Sequence, residues 1–188
     1  MYTRQFAAKV AEICEYVRTH PDNGQGGLVV LDVDETVVSN VACVLGLRPR
    51  DAPAPPIAEM DPLRHVLRQT CTPFAFVTGR TNDLEDVTRA DLSRAGWDGF
   101  VRLVMPAPES TQPIADFKRD ARRDLATIHR LIATVGDQPT DLAGEPLGRP
   151  FLLPNPFYSV DPATGIDVAE TATQAHEVFP DKNLLAPV

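Results

Sequence analysis

The sequence of 188 residues has few cysteines, no long apolar run and no excess of basic residues. Its three cysteines are odd in number and follow no metal-ligand spacing, which argues against a disulfide framework and a cysteine-bound metal. No segment approaches the roughly 20 apolar residues of a membrane-spanning helix, and the first ten residues lack the apolar stretch of a signal peptide. We therefore expect reduced thiols, no membrane partner and a cytoplasmic location.

Basic residues are outnumbered by acidic ones, and the formal net charge is −8. A field of this sign repels nucleic acid and anionic lipid surfaces, so non-specific binding to either is disfavoured. An anionic ligand would instead have to be held by local cations. The composition is otherwise ordinary for a globular protein, with 43% hydrophobic and 23% charged residues.

The length predicts a single domain over residues 1–188. Apolar residues at helical spacing predict an N-terminal helix within residues 1–20. Residues 41–70 form a small proline-rich insert with one convincing helix, and residues 160–188 carry no recognisable motif. The insert is too small for a large mobile lid, so we expect an open site or one covered by a partner, for which a second copy of the chain is a candidate.

Short apolar runs alternate with helical patterns along the rest of the chain. The helix after Pro113 is predicted to carry its apolar face through Ile128 and Ile132. This alternation predicts an α/β fold, a doubly wound, Rossmann-like and mostly parallel five-stranded sheet with helices on both faces and no large cap. The five predicted strands lie at residues 28–33, 74–77, 101–105, 133–137 and 151–153.

Polar residues follow three of these strands or begin a helix. They are Asp32 with Asp34, Thr78, Lys118 and Asp137. Because ligands of such sheets bind beyond the carboxyl ends of the strands, most of these side chains should meet there. Asp32 and Asp34 are two residues apart and would face the same side of an extended strand. Taken alone, they could equally be helix caps or turn residues, but two neighbouring carboxylates also suit Mg²⁺.

These polar residues, in their order along the chain, resemble the sequence motifs of the haloacid dehalogenase (HAD) superfamily of phosphatases and phosphotransferases. Further matches resemble its subfamily IIIB acid phosphatases, the group related to plant vegetative storage proteins. The segments that carry the resemblance are 32–36 (DVDET) with Ser39-Asn40, 77–80 (VTGR), Lys118 with Arg122, 136–142 (GDQPTDL) and 154–158 (PNPFY).

The resemblance implies hydrolysis of small phosphate monoesters through an aspartyl-phosphate. Asp32 would be the nucleophile and Asp34 the general acid and base. Thr78, Gly79 and Lys118 would bind the transferring phosphoryl group.

The resemblance also implies a Mg²⁺ cofactor. Its ligands would be Asp32, the Asp34 backbone carbonyl and Asp137, with Asp141 as a further candidate. Arg80 and Arg122 are further candidates for phosphate contact. Each of these two arginines could equally form a structural ion pair, and Asp141 could merely cap its own loop.

Other functions fit the same residues less well. A nucleic-acid-end phosphatase or a phosphotransferase could use this scaffold, although the acidic balance disfavours a polynucleotide. A phospho-accepting signalling domain would not place its acceptor beside a second aspartate two residues later. Related storage proteins can lose the nucleophilic aspartate, whereas this chain keeps Asp32. Residues 105–109 follow the third predicted strand. They lack the basic side chain that the subfamily resemblance implies at this point, so the substrate contacts on that side of the site are not assigned.

Overall fold

A computed structural model of the chain describes residues 2–146, 148–161 and 165–168. Five parallel strands form its central sheet in the order β3-β2-β1-β4-β5. These strands are β1 (Gly27–Leu31), β2 (Phe74–Val77), β3 (Arg102–Val104), β4 (Arg130–Gly136) and β5 (Arg149–Leu152). The helices are α1 (Tyr2–Thr19), α2 (Val41–Val44), α3 (Asp61–Gln69), α4 (Glu85–Arg94) and α5 (Ile114–Ala126).

The sheet is covered on both faces because successive side chains of a strand point to opposite sides. In β1, Val29 and Leu31 belong to the larger core cluster with residues of α1 and α3. Leu28 and Val30 belong to the second cluster, which is built with α5. The predicted doubly wound α/β fold with a five-stranded sheet is confirmed.

The strand order determines where a site can form. From β1 the chain proceeds to β2 and β3 on one side, then crosses to β4 and β5 on the other. The direction of winding therefore reverses at β1, and such a switch point opens a crevice beyond the carboxyl ends of the strands. Asp32, Thr78 and Asp137 each follow a strand that ends at this crevice.

The predicted extent of the helix after Pro113 is wrong. α5 ends at Ala126, Ile128 is 74% exposed, and Ile132 is buried in β4. The helical spacing of the two isoleucines continues across this boundary by coincidence. Residues 131–135 instead pair with β1, and this burial between two strands outweighs the local periodicity.

The insert and the end of the described chain hold more regular structure than expected. Besides α3, residues 41–70 contain α2 and a 3₁₀ turn, Ala58–Met60, where one helix was predicted. An unforeseen antiparallel hairpin joins β6 (Tyr158–Asp161) to β7 (Gly165–Val168). The expectation of a C-terminal segment over 160–188 falls largely on residues 162–164 and 169–188, outside the described residues.

No described helix has the length and apolar character needed to cross a membrane.

Candidate active site

The site begins at the tight turn that follows β1. The amides of Val37 and Val38 both donate to the Val33 carbonyl, at 2.9 and 3.1 Å, and reverse the chain. Glu35 takes the left-handed conformation, with φ of 49°. This turn leaves Asp32 buried at the base of the crevice and Asp34 partly exposed within it.

Lys118 lies between two buried carboxylates. Its Nζ donates to Asp32 Oδ1 at 2.7 Å and also to Asp141 Oδ1. Burial raises the pKa of Asp32 well above its usual range, and the charge of Lys118 opposes that rise. The two carboxylates more than offset the effect of burial on Lys118 and raise its pKa, so the ammonium stays charged.

Asp141 is held by its own loop as well as by Lys118. Its Oδ2 accepts the Gln138 amide at 2.8 Å and so closes the first turn of the 3₁₀ helix Pro139–Leu142. Gly136 makes room for this approach, because a Cβ at that position would lie 2.2 Å from Asp141 Oδ2. Asp141 therefore both orients the loop and fixes Lys118.

Asp137 is buried and receives two side-chain amides on one oxygen. Asn155 Nδ2 donates to Asp137 Oδ2 at 2.7 Å, and Gln138 Nε2 donates to the same atom at 2.5 Å. Burial, reinforced by the neighbouring charges of Asp141 and Glu35, raises the pKa of Asp137 to about 8. Neither amide contacts the other oxygen of Asp137, Oδ1.

Three carboxylates form a candidate metal centre. One oxygen each from Asp32, Asp137 and Asp141 lie within 4.8 Å of one another, and all three residues are buried. Among the described residues, no donor contacts Asp32 Oδ2 or Asp137 Oδ1. A set of oxygen ligands with two uncommitted atoms suits a hard divalent cation.

Arg80 contacts Asp34 through two of its nitrogens. Its Nη2 lies 2.7 Å from Asp34 Oδ1, and its Nε lies 3.0 Å from Asp34 Oδ2. The third nitrogen, Nη1, donates to Asp91 at 2.8 Å and to Thr88 at 3.3 Å. Arg80 therefore lies on a carboxylate, one of the two alternatives predicted for it, and bridges Asp34 to α4.

The remaining predicted residues fall into two groups. Thr78 is buried, its hydroxyl accepts the Arg80 amide at 3.1 Å, and the adjacent Gly79 lines the crevice. Arg122 instead uses its guanidinium on backbone carbonyls, including Asp141 O at 2.6 Å and Pro146 O at 3.1 Å. The structure thus brings Asp32, Asp34, Gly79 and Lys118 to the crevice and places Arg122 behind the loop that carries Asp141.

Sequence reasoning gave no role to Glu35, which the turn buries completely. Its Oε1 accepts the amides of Asn40 and Val41, at 2.5 and 2.9 Å, and its Oε2 accepts the Tyr158 hydroxyl. Burial, together with the charge of Asp34, raises the pKa of Glu35 to about 8. Tyr158 belongs to the PNPFY segment, so the late motif could have indicated that the hairpin β6-β7 returns to this turn.

Asp91 was also missed, and no local signal identifies it. It lies in the polar helix α4 yet is 1% exposed. Its Oδ1 accepts the Ala54 amide at 2.9 Å and a guanidinium nitrogen of Arg94 at 2.5 Å, while Oδ2 faces Arg80. Only the folded chain shows that it joins the insert to Asp34.

These side chains open onto a cleft of about 560 Å³. Its floor carries the carboxylates and Lys118, and its walls come from α2, the 3₁₀ turn Asn82–Leu84 and the start of α5. A doubly wound sheet with an aspartate pair after the first strand, and a lysine between buried carboxylates, defines a HAD-like α/β protein.

Comparison with known sequences identifies the family. The chain belongs to the HAD superfamily, subfamily IIIB (acid phosphatase), whose family pattern it matches over residues 49–161. This range includes Thr78, Lys118 and Asp137 but begins after Asp32. The predicted family is therefore confirmed, while the aspartate pair is outside the matched range.

Two curated relatives are plant proteins. The Stem 28 kDa glycoprotein of Glycine max is 37% identical over 90 residues, which are 45% of this chain and 35% of that protein. A Stem 31 kDa glycoprotein of the same plant is 35% identical over 92 residues, covering 47% and 36% respectively. The alignment thus spans about a third of the length of these curated relatives.

Two solved structures share the fold. The class C acid phosphatase from Bacillus anthracis superposes with a TM-score of 0.67 and 16% identity, over 84% of this chain and 79% of that chain. The same enzyme with tungstate bound gives a TM-score of 0.59 and 17% identity, over 82% and 79%. At these identities the likeness concerns the fold alone.

Proposed function

We propose that the chain is a Mg²⁺-dependent phosphomonoesterase that acts on small phosphorylated substrates through an aspartyl-phosphate at Asp32. The observation that carries this proposal is Asp32 itself. It is buried at the floor of an open cleft, 2.7 Å from the Lys118 ammonium, with a second carboxylate oxygen that no described donor contacts. Membership of an acid phosphatase family supports the same reaction.

The uncommitted Asp32 Oδ2 is the atom that would attack phosphorus. The new bond joins Asp32 to the phosphoryl group as the bond from phosphorus to the leaving oxygen breaks. Lys118 holds Asp32 in place and supplies the fixed positive charge next to the phosphoryl oxygens, where negative charge accumulates. Gly79 lines the cleft and has no side chain, so its backbone can approach the same phosphoryl oxygens.

Asp34 is suited to both proton transfers. It would donate its proton to the leaving oxygen in the first step and accept one from water in the second, which releases phosphate and restores Asp32. Arg80 fixes the orientation of the Asp34 carboxylate through paired contacts. The general acid is thus positioned by a guanidinium that is itself anchored on α4.

The acidic donor set fits Mg²⁺. Asp137 Oδ1 would hold the ion, together with the other Asp32 oxygen, Oδ1, and the Asp34 carbonyl that the family resemblance implies, and Asp141 would keep Lys118 beside it. When bound, Mg²⁺ polarises the phosphoryl group and offsets the repulsion among the carboxylates. Asn155 and Gln138 orient Asp137 from behind, as outer partners of metal ligands commonly do.

Hydrolysis of p-nitrophenyl phosphate tests the proposal directly. We expect turnover with Mg²⁺, its loss in EDTA, and its recovery when Mg²⁺ is restored. A screen of nucleotides, sugar phosphates and phosphorylated oligonucleotides under the same conditions would then separate small substrates from polynucleotide ends. Full activity in EDTA, or no hydrolysis of any monoester, would contradict the proposed function.

Metal binding should also change how stability depends on pH. Asp137 and Glu35 have pKa values of about 8 in the folded chain, against about 4 when unfolded. Between about pH 4 and 8, the metal-free folded chain therefore binds more protons than the unfolded chain, and its free energy of unfolding falls as pH rises. We expect the Tm in EDTA to fall from pH 5 to pH 8.

Mg²⁺ at pH 8 should offset part of this loss. At a hundredfold excess over its Kd, the ion contributes about 2.7 kcal/mol, or about 5–10 °C in Tm for a chain of this length. Asp137→Asn should abolish the response to Mg²⁺ and make the pH dependence shallower, since only Glu35 still titrates, whereas the exposed Asp124→Asn should retain both. A Tm in EDTA that rises between pH 5 and 8 would contradict this assignment.

Asp91 should act on catalysis through Arg80. We expect Asp91→Asn to lower kcat by about tenfold with little change in KM, because Arg80 loses a charged partner and orients Asp34 less well. The loss should be larger for phenyl phosphate than for p-nitrophenyl phosphate, whose better leaving group depends less on Asp34. An equal loss on both esters would indicate a merely structural role. Arg94→Gln, which removes the exposed partner of Asp91, serves as the control.

A further inference from the structure

Among the described residues that line the cleft, one cation is not used by the phosphoryl chemistry. Arg50 lines the cleft together with Arg80 and Lys118. Lys118 is engaged by Asp32 and Asp141, and Arg80 by Asp34 and Asp91. Arg50, in contrast, has no ion pair or hydrogen bond within the part of the chain that the structure describes.

An unpaired arginine at this position is informative because the chain is strongly acidic. With a formal net charge of −8, carboxylates that could pair with Arg50 are plentiful, including its neighbour Asp51. The side chain is exposed and none of its donors contacts a described residue, so they can bind a carboxylate or phosphate in a bidentate way. A guanidinium that lines the cleft and is exposed to solvent is suited to an anion that arrives from solvent.

The loop that carries Arg50 is anchored at both ends. Ser39 N donates to Pro55 O at 2.8 Å, which ties the loop to the turn after β1. Ala54 N donates to Asp91 on α4, and the Arg48 guanidinium binds Pro53 O and, at 3.3 Å, Asn40 Oδ1. The backbone around Arg50 is therefore preorganised, which lowers the entropic cost of using its side chain for binding.

Part of the cleft lining is apolar. Cys43 and Val44 from α2 face the cleft, as do Leu84 and Ile114 from elements around it. All four are only partly buried, so they offer contact area to a ligand. A leaving group that fills this space would have an apolar body, with the phosphoryl end on the floor and the far end beside Arg50.

From this arrangement we propose that Arg50 forms a leaving-group subsite, so that preferred substrates are phosphate monoesters with an apolar body and a second anionic group. This inference rests on the proposed function and specifies its substrate class. The second anion is a carboxylate, sulfonate or phosphate, which share the chemistry that a guanidinium recognises. Arg50 is a specificity residue here and takes no part in phosphoryl transfer.

A matched pair of esters tests the subsite. We would measure kcat/KM for para-carboxyphenyl phosphate and para-carbamoylphenyl phosphate, which have similar size and differ in the charge of the far group. Their ratio in the wild type is compared with the ratio in Arg50→Gln, so that differences in leaving-group reactivity cancel. We expect the ratio to fall about tenfold in Arg50→Gln, as for loss of a charged hydrogen bond. Arg50→Lys should retain part of the preference.

Arg102→Gln is the matched control. Arg102 is an exposed arginine at the start of β3, outside the cleft lining, and its loss changes the net charge equally. Its ratio should equal that of the wild type. Para-sulfophenyl and para-phosphonophenyl phosphates, assayed alongside, would rank the three anions.

Two results would overturn the subsite. The first is hydrolysis of both esters with an unchanged ratio in Arg50→Gln, and the second is an equal fall in Arg102→Gln, which would indicate general electrostatic steering. Either result leaves the phosphatase proposal intact. If the wild type hydrolyses neither ester, nor p-nitrophenyl phosphate, the proposed function itself fails and the substrate class with it.

Discussion

Asp32→Asn should reduce hydrolysis of p-nitrophenyl phosphate by more than about 10³-fold, since the amide cannot form the phosphoryl intermediate. KM or inhibitor affinity should change far less, because Lys118 and the backbone of the cleft remain. The substitution is isosteric and removes one of several buried carboxylates that repel each other, so the folded chain should survive it. Steady-state kinetics with a thermal denaturation curve on the same sample would measure both effects.

Asp124→Asn is the matched control for this variant. Asp124 is exposed on α5, and the same change there should leave the rate at the wild-type value. A tungstate titration, followed by the shift in Tm, would show whether the Asp32→Asn cleft still binds an oxyanion. Near-normal turnover by a folded Asp32→Asn protein would remove Asp32 from the chemistry.

Lys118→Met should damage both activity and stability. The rate should fall by about 10²- to 10³-fold, because no fixed charge remains beside the phosphoryl oxygens. The free energy of unfolding should fall by about 3–5 kcal/mol, because Asp32 and Asp141 are left buried without their shared cation. Urea denaturation at constant pH, together with kcat and KM, would give the two losses separately.

The double variant Lys118→Met/Asp141→Asn distinguishes these two effects. Removing one unpaired carboxylate should restore part of the stability and none of the activity, since the two residues interact directly. Lys9→Met, which breaks a half-exposed pair with Glu12, should cost less than about 1 kcal/mol and no activity. A Lys118→Met protein that matches the wild type in stability would contradict the buried pairing.

Much of the fold follows from local patterns. The apolar runs of β1 and β2 are short, rich in branched or aromatic residues, and bounded by turn residues, so their position was predictable. The end of α5 was not, because Ile128 and Ile132 extend its spacing into a turn and a strand. Only the pairing of β4 with β1, a contact between distant segments, decides which pattern prevails.

The site residues were predictable where a polar side chain comes directly after a strand. Asp32, Asp34 and Asp137 follow directly from β1 and β4, and their convergence follows from a parallel sheet. The partners of Arg80 and Arg122 were not predictable, because a guanidinium contacts whatever the folded chain brings within its reach. Asp91 and Arg50 gave no signal at all, since their roles depend on how the insert packs between α4 and the turn after β1.

The measurement that tests the central proposal most directly is a rapid-mixing burst experiment on the Asp34→Asn variant with excess p-nitrophenyl phosphate and Mg²⁺. This ester needs little help from a general acid to form the intermediate, whereas its breakdown by water needs the missing base, so the phosphoryl-enzyme should accumulate. We predict a burst of nitrophenolate equal to the enzyme concentration, with the phosphoryl group on the peptide that contains Asp32. A phosphoryl group on another residue, or undiminished steady turnover after Asp32→Asn, would contradict the account.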